Sequence, residues 1–221
     1  NVVYYAVEDK SADITAENIA EHEDCTEFDI VYGGESYRAQ IPCIGAHNVL
    51  NALAGFGAGV AAGVKPEHAA AALANFRSTG MRQRARKCRE VTVIEDCYNA
   101  NPDSVKAAML TLGSRKIPDG AKKIAVLGDM LELGAVAESA HLAAGEEAAA
   151  AADVLFCCGE LGRLIAKGAE NAGMKNAKHF NSKDELAQEL RKIARPGDII
   201  WLKASRGMRF EDIAEAFYEE L

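Results

Sequence analysis

The sequence predicts an α/β protein in which an antiparallel hairpin near the start gives way to a mostly parallel, doubly wound sheet. Three observations carry this. Residues 26–41 alternate apolar and polar side chains on either side of Gly33-Gly34. From residue 91 onward, short apolar runs alternate with helical patterns, the rhythm of strands joined by crossover helices. A hydrophobic content of 49% over 221 residues supplies the core of one large domain or two modest ones.

In the hairpin, Phe28, Ile30 and Tyr32 face one way, as do Tyr37, Ala39 and Ile41 after the glycine turn. The period then changes: Val49, Leu50, Leu53, Phe56 and Val60 recur at helical spacing from Ala46, with Gly63 as the stop. Within that helix the run Gly55-Phe56-Gly57-Ala58-Gly59 reads as close packing. Pro66 and Glu67 suit the first turn of a second, Ala-rich helix that runs to Phe76. A basic, extended stretch containing Arg77, Arg82, Arg84, Arg86, Lys87 and Arg89 marks a junction near Gly80 to Arg84, predicting domains over 1–82 and 83–221. Strands follow at 91–96, 123–128, 153–158, 177–180 and 198–203. Helices follow at 102–115, 135–151, 161–172, 183–194 and 208–220.

Ligands of such sheets bind beyond the carboxyl ends of the strands, so the residues there are the candidates. Asp96 ends one strand, where its carboxylate either accepts from ribose hydroxyls or holds its own turn. Tyr98 and Asn99 follow it, and Asn101-Pro102 forms a cap and first turn whose amides attract anions only weakly as a signal. His47 and Asn48 stand at the mouth of the first helix, where a carboxamide pairs with an adenine edge or caps the helix. Asn51, one turn on, is expected to pack or bond within the protein. Arg82, Arg84 and Arg86 share a face if the stretch is extended. That ladder either recognises phosphate or protects an edge strand, and Arg82 is the functional candidate. Beyond the last strand, Lys203, Ser205 and Arg206 suit a carboxylate or phosphate. His141 and His179 read as structural or exposed.

Several classes are disfavoured. A net charge of −8 argues against general nucleic-acid binding, and the longest apolar runs are far shorter than the roughly 20 residues of a membrane helix. Six cysteines, with no C-x-x-C pair, predict reduced thiols in a cytoplasmic protein, and no metal site is predicted. The start, Asn1-Val2-Val3-Tyr4-Tyr5, lacks the parts of a secretory signal and predicts a chain that begins inside a domain. Neither G-x-G-x-x-G nor G-x-x-x-x-G-K-[ST] occurs.

Five segments taken in order resemble the Mur ligases: Gly45-x-His47-Asn48-Val49-Leu50-Asn51, Thr79-Gly80-Met81-Arg82, Asp96-Cys97-Tyr98-Asn99-Ala100-Asn101-Pro102, Leu127-Gly128-Asp129-Met130-Leu131-Glu132-Leu133-Gly134 and Lys203-Ala204-Ser205-Arg206. The resemblance implies the remainder of a central ATP-binding domain followed by a Rossmann-like C-terminal domain. The family's chain has three domains and this one would start partway through the second, so the phosphate loop and the magnesium ligands would lie elsewhere. It further implies an ATP- and Mg2+-dependent amide ligase of peptidoglycan precursor synthesis. The Tyr-Asn-Ala-Asn-Pro and Gly-Asp-Met-Leu-Glu-Leu-Gly segments point to the branch joining D-alanyl-D-alanine to UDP-N-acetylmuramoyl-tripeptide through an acyl phosphate. On that resemblance His47, Asn48, Arg82, Asp96, Tyr98 and Asn99 attend the nucleotide, and Lys203, Ser205 and Arg206 face the incoming amino substrate. No residue of the chain is assigned as catalytic, and the whole protein is expected to be a monomer, with the 221 residues inactive alone. Ala204 departs from the glycine of the family's Lys-Gly-Ser-Arg, which puts in question a backbone conformation with positive φ. Two other classes remain open: a noncatalytic nucleotide-binding module, and a phosphoacceptor receiver built on Glu95-Asp96, Asp129 and Lys203. A receiver would place its acceptor after the third strand, whereas Asp129 follows the second, and it leaves residues 1–80 unexplained.

Overall fold

The computed structural model describes residues 2–22, 25–77 and 82–219, so Thr79, Gly80 and Met81 of the second motif lie outside the described residues. The chain forms two compact units that divide between Arg77 and Ser78.

The first unit is a sheet of four strands in the order β1 (Tyr5–Ala6), β2 (Ile14–Glu21), β3 (Thr26–Tyr32) and β4 (Glu35–Ile41), covered by α1 (Ala46–Ala61) and α2 (Pro66–Ala72). The expected hairpin is β3 and β4, and its Gly33 and Gly34 both take positive φ, as the tight turn requires. Strands β1 and β2 were not foreseen. The reason is visible at Asn18, whose φ of 51° accompanies a register shift between Glu17 and Ala20 and breaks the period-2 signal of β2. Ile14, Phe28, Ile30, Ala39 and Ile41 line one face and receive Val49, Leu53 and Phe56 of α1. A side chain at Gly57 would press on Ile14, so the glycine run does serve close packing. Helix α1 ends as expected: the Val64 N–H reaches Gly59 O at 3.0 Å around Gly63, which has φ of 91°. Helix α2 tightens to a 3-10 turn over Leu73–Asn75, short of the expected Phe76.

The second unit is a six-stranded sheet in the order β5 (Arg84–Cys88), β6 (Val91–Asp96), β10 (Ile199–Lys203), β7 (Lys123–Gly128), β8 (Val154–Cys158) and β9 (Ala177–Phe180). All neighbours are parallel except β5, which runs antiparallel to β6 at the edge. Alternate strand residues feed two cores. Ile124, Val126, Ile200 and Leu202 meet α6 (Lys183–Ile193) and α7 (Glu211–Glu219). Ala125, Leu127, Ile199 and Trp201 meet α3 (Pro102–Ser114), α4 (Ala137–Ala151) and α5 (Gly162–Asn171). The doubly wound α/β class is therefore correct. After β9 the chain returns through α6 on the opposite face and inserts β10 between β6 and β7, creating the switch point beside which such sheets bind ligands.

Helices α4 and α5 meet backbone to backbone: a Cβ at Gly145 would overlap the Ile165 carbonyl oxygen, and one at Gly168 the Leu142 carbonyl oxygen. The expected helices at 135–151 and 208–220 each prove to be a 3-10 turn followed by a shorter α-helix.

Candidate functional site

At the carboxyl end of the switch point, parallel register places Lys203 of β10 opposite Asp96 of β6. Lys203 Nζ donates to Asp96 Oδ2 at 2.8 Å and to Asn99 O at 3.1 Å, with the two side chains only 3% and 11% exposed. A candidate nucleotide residue and a candidate acceptor residue are thus one buried ion pair. A carboxylate has about four lone-pair sites, so one ammonium partner does not exhaust Asp96.

The loop after β6 is ordered by its own chemistry. Cys97 is buried, its Sγ 3.4 Å from Leu202 O, and burial followed by the adjacent Asp96 charge pushes its thiol up to about 12, which makes it a poor nucleophile. Tyr98 turns outward, the residue 45% exposed, and the Arg82 guanidinium lies 4.2 Å from the ring centroid. Asn99 is exposed and its Oδ1 accepts from the Ala100 N–H. Asn101 and Ser104 form a reciprocal capping box: Asn101 Oδ1 accepts from Ser104 N–H at 2.8 Å and Ser104 Oγ from Asn101 N–H at 3.0 Å. The expected cap at Asn101-Pro102 is present, and it spends an amide that an anion would need.

The arginine ladder is not continuous. Gln83 has φ of 51°, which breaks the extended run, so β5 begins at Arg84 and Arg82 stands apart from Arg84 and Arg86. Arg86 lies 4.2 Å from the Tyr218 ring centroid and 3.7 Å from Glu95, whose Oε1 accepts from the Tyr218 hydroxyl at 2.8 Å. Burial and that bond raise the Tyr218 phenol. This cluster joins the edge strand to α7.

After β10, Ser205 is buried: its Oγ accepts from Leu131 N–H at 2.9 Å and donates to Ala100 O at 3.4 Å. Arg206 is exposed and its guanidinium meets Glu211 at 2.6 Å. Asp129, after β7, accepts from Glu160 N–H at 3.0 Å and from Leu161 N–H at 3.1 Å. Its carboxylate serves a loop, and Lys203 pairs with Asp96 instead, which removes the geometry a phosphoacceptor receiver would need. His141 is fully buried, donating from Nδ1 to Ala137 O while Nε2 accepts from Met130 N–H at 2.9 Å. That pairing gives the imidazole a structural task. His179 bonds Gly159 O at 2.8 Å.

His47 and Asn48 stand in the first unit, in the first turn of α1. The N-cap Gly45 has φ of 105°, and its N–H donates to Glu21 Oε1 at 3.1 Å. Asn48 Nδ2 donates to Ile44 O at 2.9 Å, so its carboxamide takes part in holding the helix entrance. Asn51 is exposed rather than packed, because it lies on the solvent side of a helix whose buried stripe is Val49, Ala52, Leu53 and Phe56.

Sequence reasoning missed the anchoring roles of Asp129 and Glu95, while the structural reading of His141 holds. Asp129 was visible as an acid in a loop after a strand, but its side-chain partners lie 31 or more residues away, and the Tyr218 partner of Glu95 lies 123 residues away.

The Mur ligase middle-domain model matches residues 1–59, and the model described as "Mur ligase, glutamate ligase domain" matches residues 81–206. The UDP-N-acetylmuramoyl-tripeptide--D-alanyl-D-alanine ligase of Bacillus subtilis (strain 168) is 38% identical over 210 residues, covering 94% of this chain and 45% of that protein. The ligase of the same name from Escherichia coli (strain K12) is 29% identical, covering 95% and 45%. The chain thus spans about half the length of the curated relatives it matches. Among solved structures, MurF from Acinetobacter baumannii superposes with a TM-score of 0.84 at 25% identity, over 98% of this chain and 46% of that one. The MurF ligase of Thermotoga maritima in complex with ADP has the same fold, with a TM-score of 0.80 at 23% identity over 100% and 49%. With both domain models matched in order and the second alone spanning more than half of the sequence, the chain belongs to the Mur ligase family.

Proposed function

We propose that the protein to which this chain belongs is an ATP-dependent amide ligase of peptidoglycan precursor synthesis, joining D-alanyl-D-alanine to UDP-N-acetylmuramoyl-tripeptide. In that reaction the tripeptide carboxylate is activated as an acyl phosphate and the dipeptide amine displaces phosphate. The observation that carries the reading is the buried Asp96–Lys203 pair, flanked by Tyr98-Asn99 on one strand end and Ser205-Arg206 on the next. It stands in a chain 38% identical to a ligase of that name. We assign residues 1–82 to the central domain and 83–221 to the C-terminal domain.

In this reading Asp96 accepts from the ribose, with Lys203 holding the carboxylate in place. Tyr98, Asn99 and Arg82 border the nucleotide, and His47 and Asn48 attend the base. Arg206, with Ser205 beneath it, faces the carboxylate of the incoming dipeptide, where a guanidinium fork is well suited. Mg2+, which would neutralise phosphoryl charge, is held in this reading mainly by parts of the whole enzyme outside these 221 residues. The sequence carries no phosphate loop, and we propose that this part of the machinery is supplied by other sequence and that these 221 residues alone do not turn over. Among the described residues no helix is long and apolar enough to cross a membrane. We propose a cytoplasmic enzyme, since substrates of this polarity are held in the cytoplasm, and a monomeric one.

The test is phosphate release by the whole enzyme supplied with ATP, UDP-N-acetylmuramoyl-tripeptide and D-alanyl-D-alanine. Release is expected to require the dipeptide; equal turnover in its absence refutes the assignment.

A further inference from the structure

Asp129 belongs to none of the proposed ligand contacts, yet its carbonyl holds the acceptor loop at Ser205 while its carboxylate ties the end of β7 to the loop after β8. It is buried at the end of β7. Its two carboxylate oxygens accept from Glu160 N–H and Leu161 N–H at 3.0 and 3.1 Å, at the entrance to α5, and its carbonyl accepts from Ser205 N–H at 3.2 Å. Ser205 then passes the link on through Oγ, to Leu131 N–H and to Ala100 O. The loops following four adjacent strands, β6, β10, β7 and β8, are therefore stitched side by side.

The opposite side of this contact is shaped to receive a carboxylate. Gly159 takes φ of 119°, a conformation open to glycine, and a Cβ there would overlap Asp129 Oδ1. A buried carboxylate costs desolvation that only well-placed donors offset, and two backbone N–H groups at the entrance to α5 supply them. Such a pair of bonds defines position in two directions, where a single hydroxyl would define one.

Resting on the ligase reading above, we infer that Asp129 is a positioning residue for the reaction: its carboxylate fixes the end of β7 to the entrance of α5, and from that fixed end its carbonyl holds Ser205, whose Oγ ties the acceptor loop to the nucleotide loop at Ala100. A displacement of about 1 Å between reacting groups costs roughly a hundredfold in rate, so loosening this clasp affects use of both substrates together. Simple loss of stability would not do so.

The experiment uses the whole ligase. Asp129→Asn turns one acceptor oxygen into an NH2 facing an N–H, and Gly159→Ala displaces the same carboxylate from the other side. Both are expected to lower kcat/KM for ATP and for D-alanyl-D-alanine by about tenfold or more. Met109→Ala, a cavity in the core between α3 and the sheet, serves as control and is expected to lower Tm with kcat/KM within about twofold of wild type. In the wild-type enzyme, saturating ATP is expected to slow amide hydrogen exchange at Glu160, Leu161 and Ser205 together, a measurement that needs no variant to fold. Clasp variants that lose Tm as the control does but keep both kcat/KM values within about twofold overturn the inference, as does exchange at the three amides unmoved by ATP. A wild-type enzyme without dipeptide-dependent phosphate release instead refutes the ligase reading, and this inference with it.

Discussion

Lys203 Nζ lies 2.8 Å from Asp96 Oδ2, closing the buried carboxyl ends of two parallel strands that are far apart in sequence. Neither charge has ready access to water, so each is the other's main compensation. Lys203→Met is expected to destabilise the fold by roughly 3–5 kcal/mol, because it strands a buried carboxylate, while Lys203→Met with Asp96→Leu costs clearly less than the sum of the single changes. Urea denaturation of the four species checks this; strict additivity would mean that the pair is not coupled. In the whole ligase Asp96→Asn is also expected to raise KM for ATP by about tenfold, the worth of one hydrogen bond to a charged group.

Tyr98 presents a half-exposed ring with Arg82 beside it, so removing it disturbs little of the core. Tyr98→Ala is expected to raise KM for ATP about fivefold, from the loss of roughly 1 kcal/mol of cation–π and stacking contact, with Tm almost unmoved. Steady-state kinetics at saturating dipeptide provide the check, and an unchanged KM would remove Tyr98 from the nucleotide site.

The contact of α4 with α5 depends on two absent side chains. Gly145→Ala and Gly168→Ala would each thrust a methyl group into a facing carbonyl oxygen. Each is expected to cost about 1–3 kcal/mol despite alanine's higher helix propensity, lowering Tm by about 2–4 °C per kcal/mol. Calorimetry decides: a stabilised variant would show that the helices stand further apart.

Cys97 links packing to pH. Burial pushes its thiol from 9.0 up to about 12, so above pH 9 the unfolded chain releases a proton that the native chain keeps. Fewer protons on the unfolded state mean that stability falls as pH rises, by up to about 1.4 kcal/mol per unit for this group between pH 9 and 12. Cys97→Ala is expected to flatten that slope relative to wild type in denaturation curves at pH 8, 9 and 10, and parallel slopes would contradict it. At pH 7 a thiol reagent is expected to leave native Cys97 unmodified until the protein unfolds.

Much of the architecture was written locally. The continuous apolar runs that became β7, β8 and β10, the Asn101-Pro102 entrance to α3 and the Gly63 end of α1 each depend on residues within a turn or two. Where the sequence misled, a local backbone departure was responsible. A left-handed Asn18 hid β2, and a left-handed Gln83 broke the arginine face that alternation predicts. Single positive-φ residues of this kind carry little composition signal when they are not glycine.

The motif order of the chain by itself determined its family resemblance, its doubly wound class and the strand ends worth testing, because hydrophobic period and capping act over short spans. Only the tertiary structure decided that β10 enters between β6 and β7, since a parallel strand's neighbours depend on how crossover helices cover both faces of the sheet. That insertion joins Lys203 to Asp96 across 107 residues and lets Asp129 and Ser205 bind the loops into one edge. Pairings over such distances arise from packing the whole sheet, and no local pattern along the chain records them.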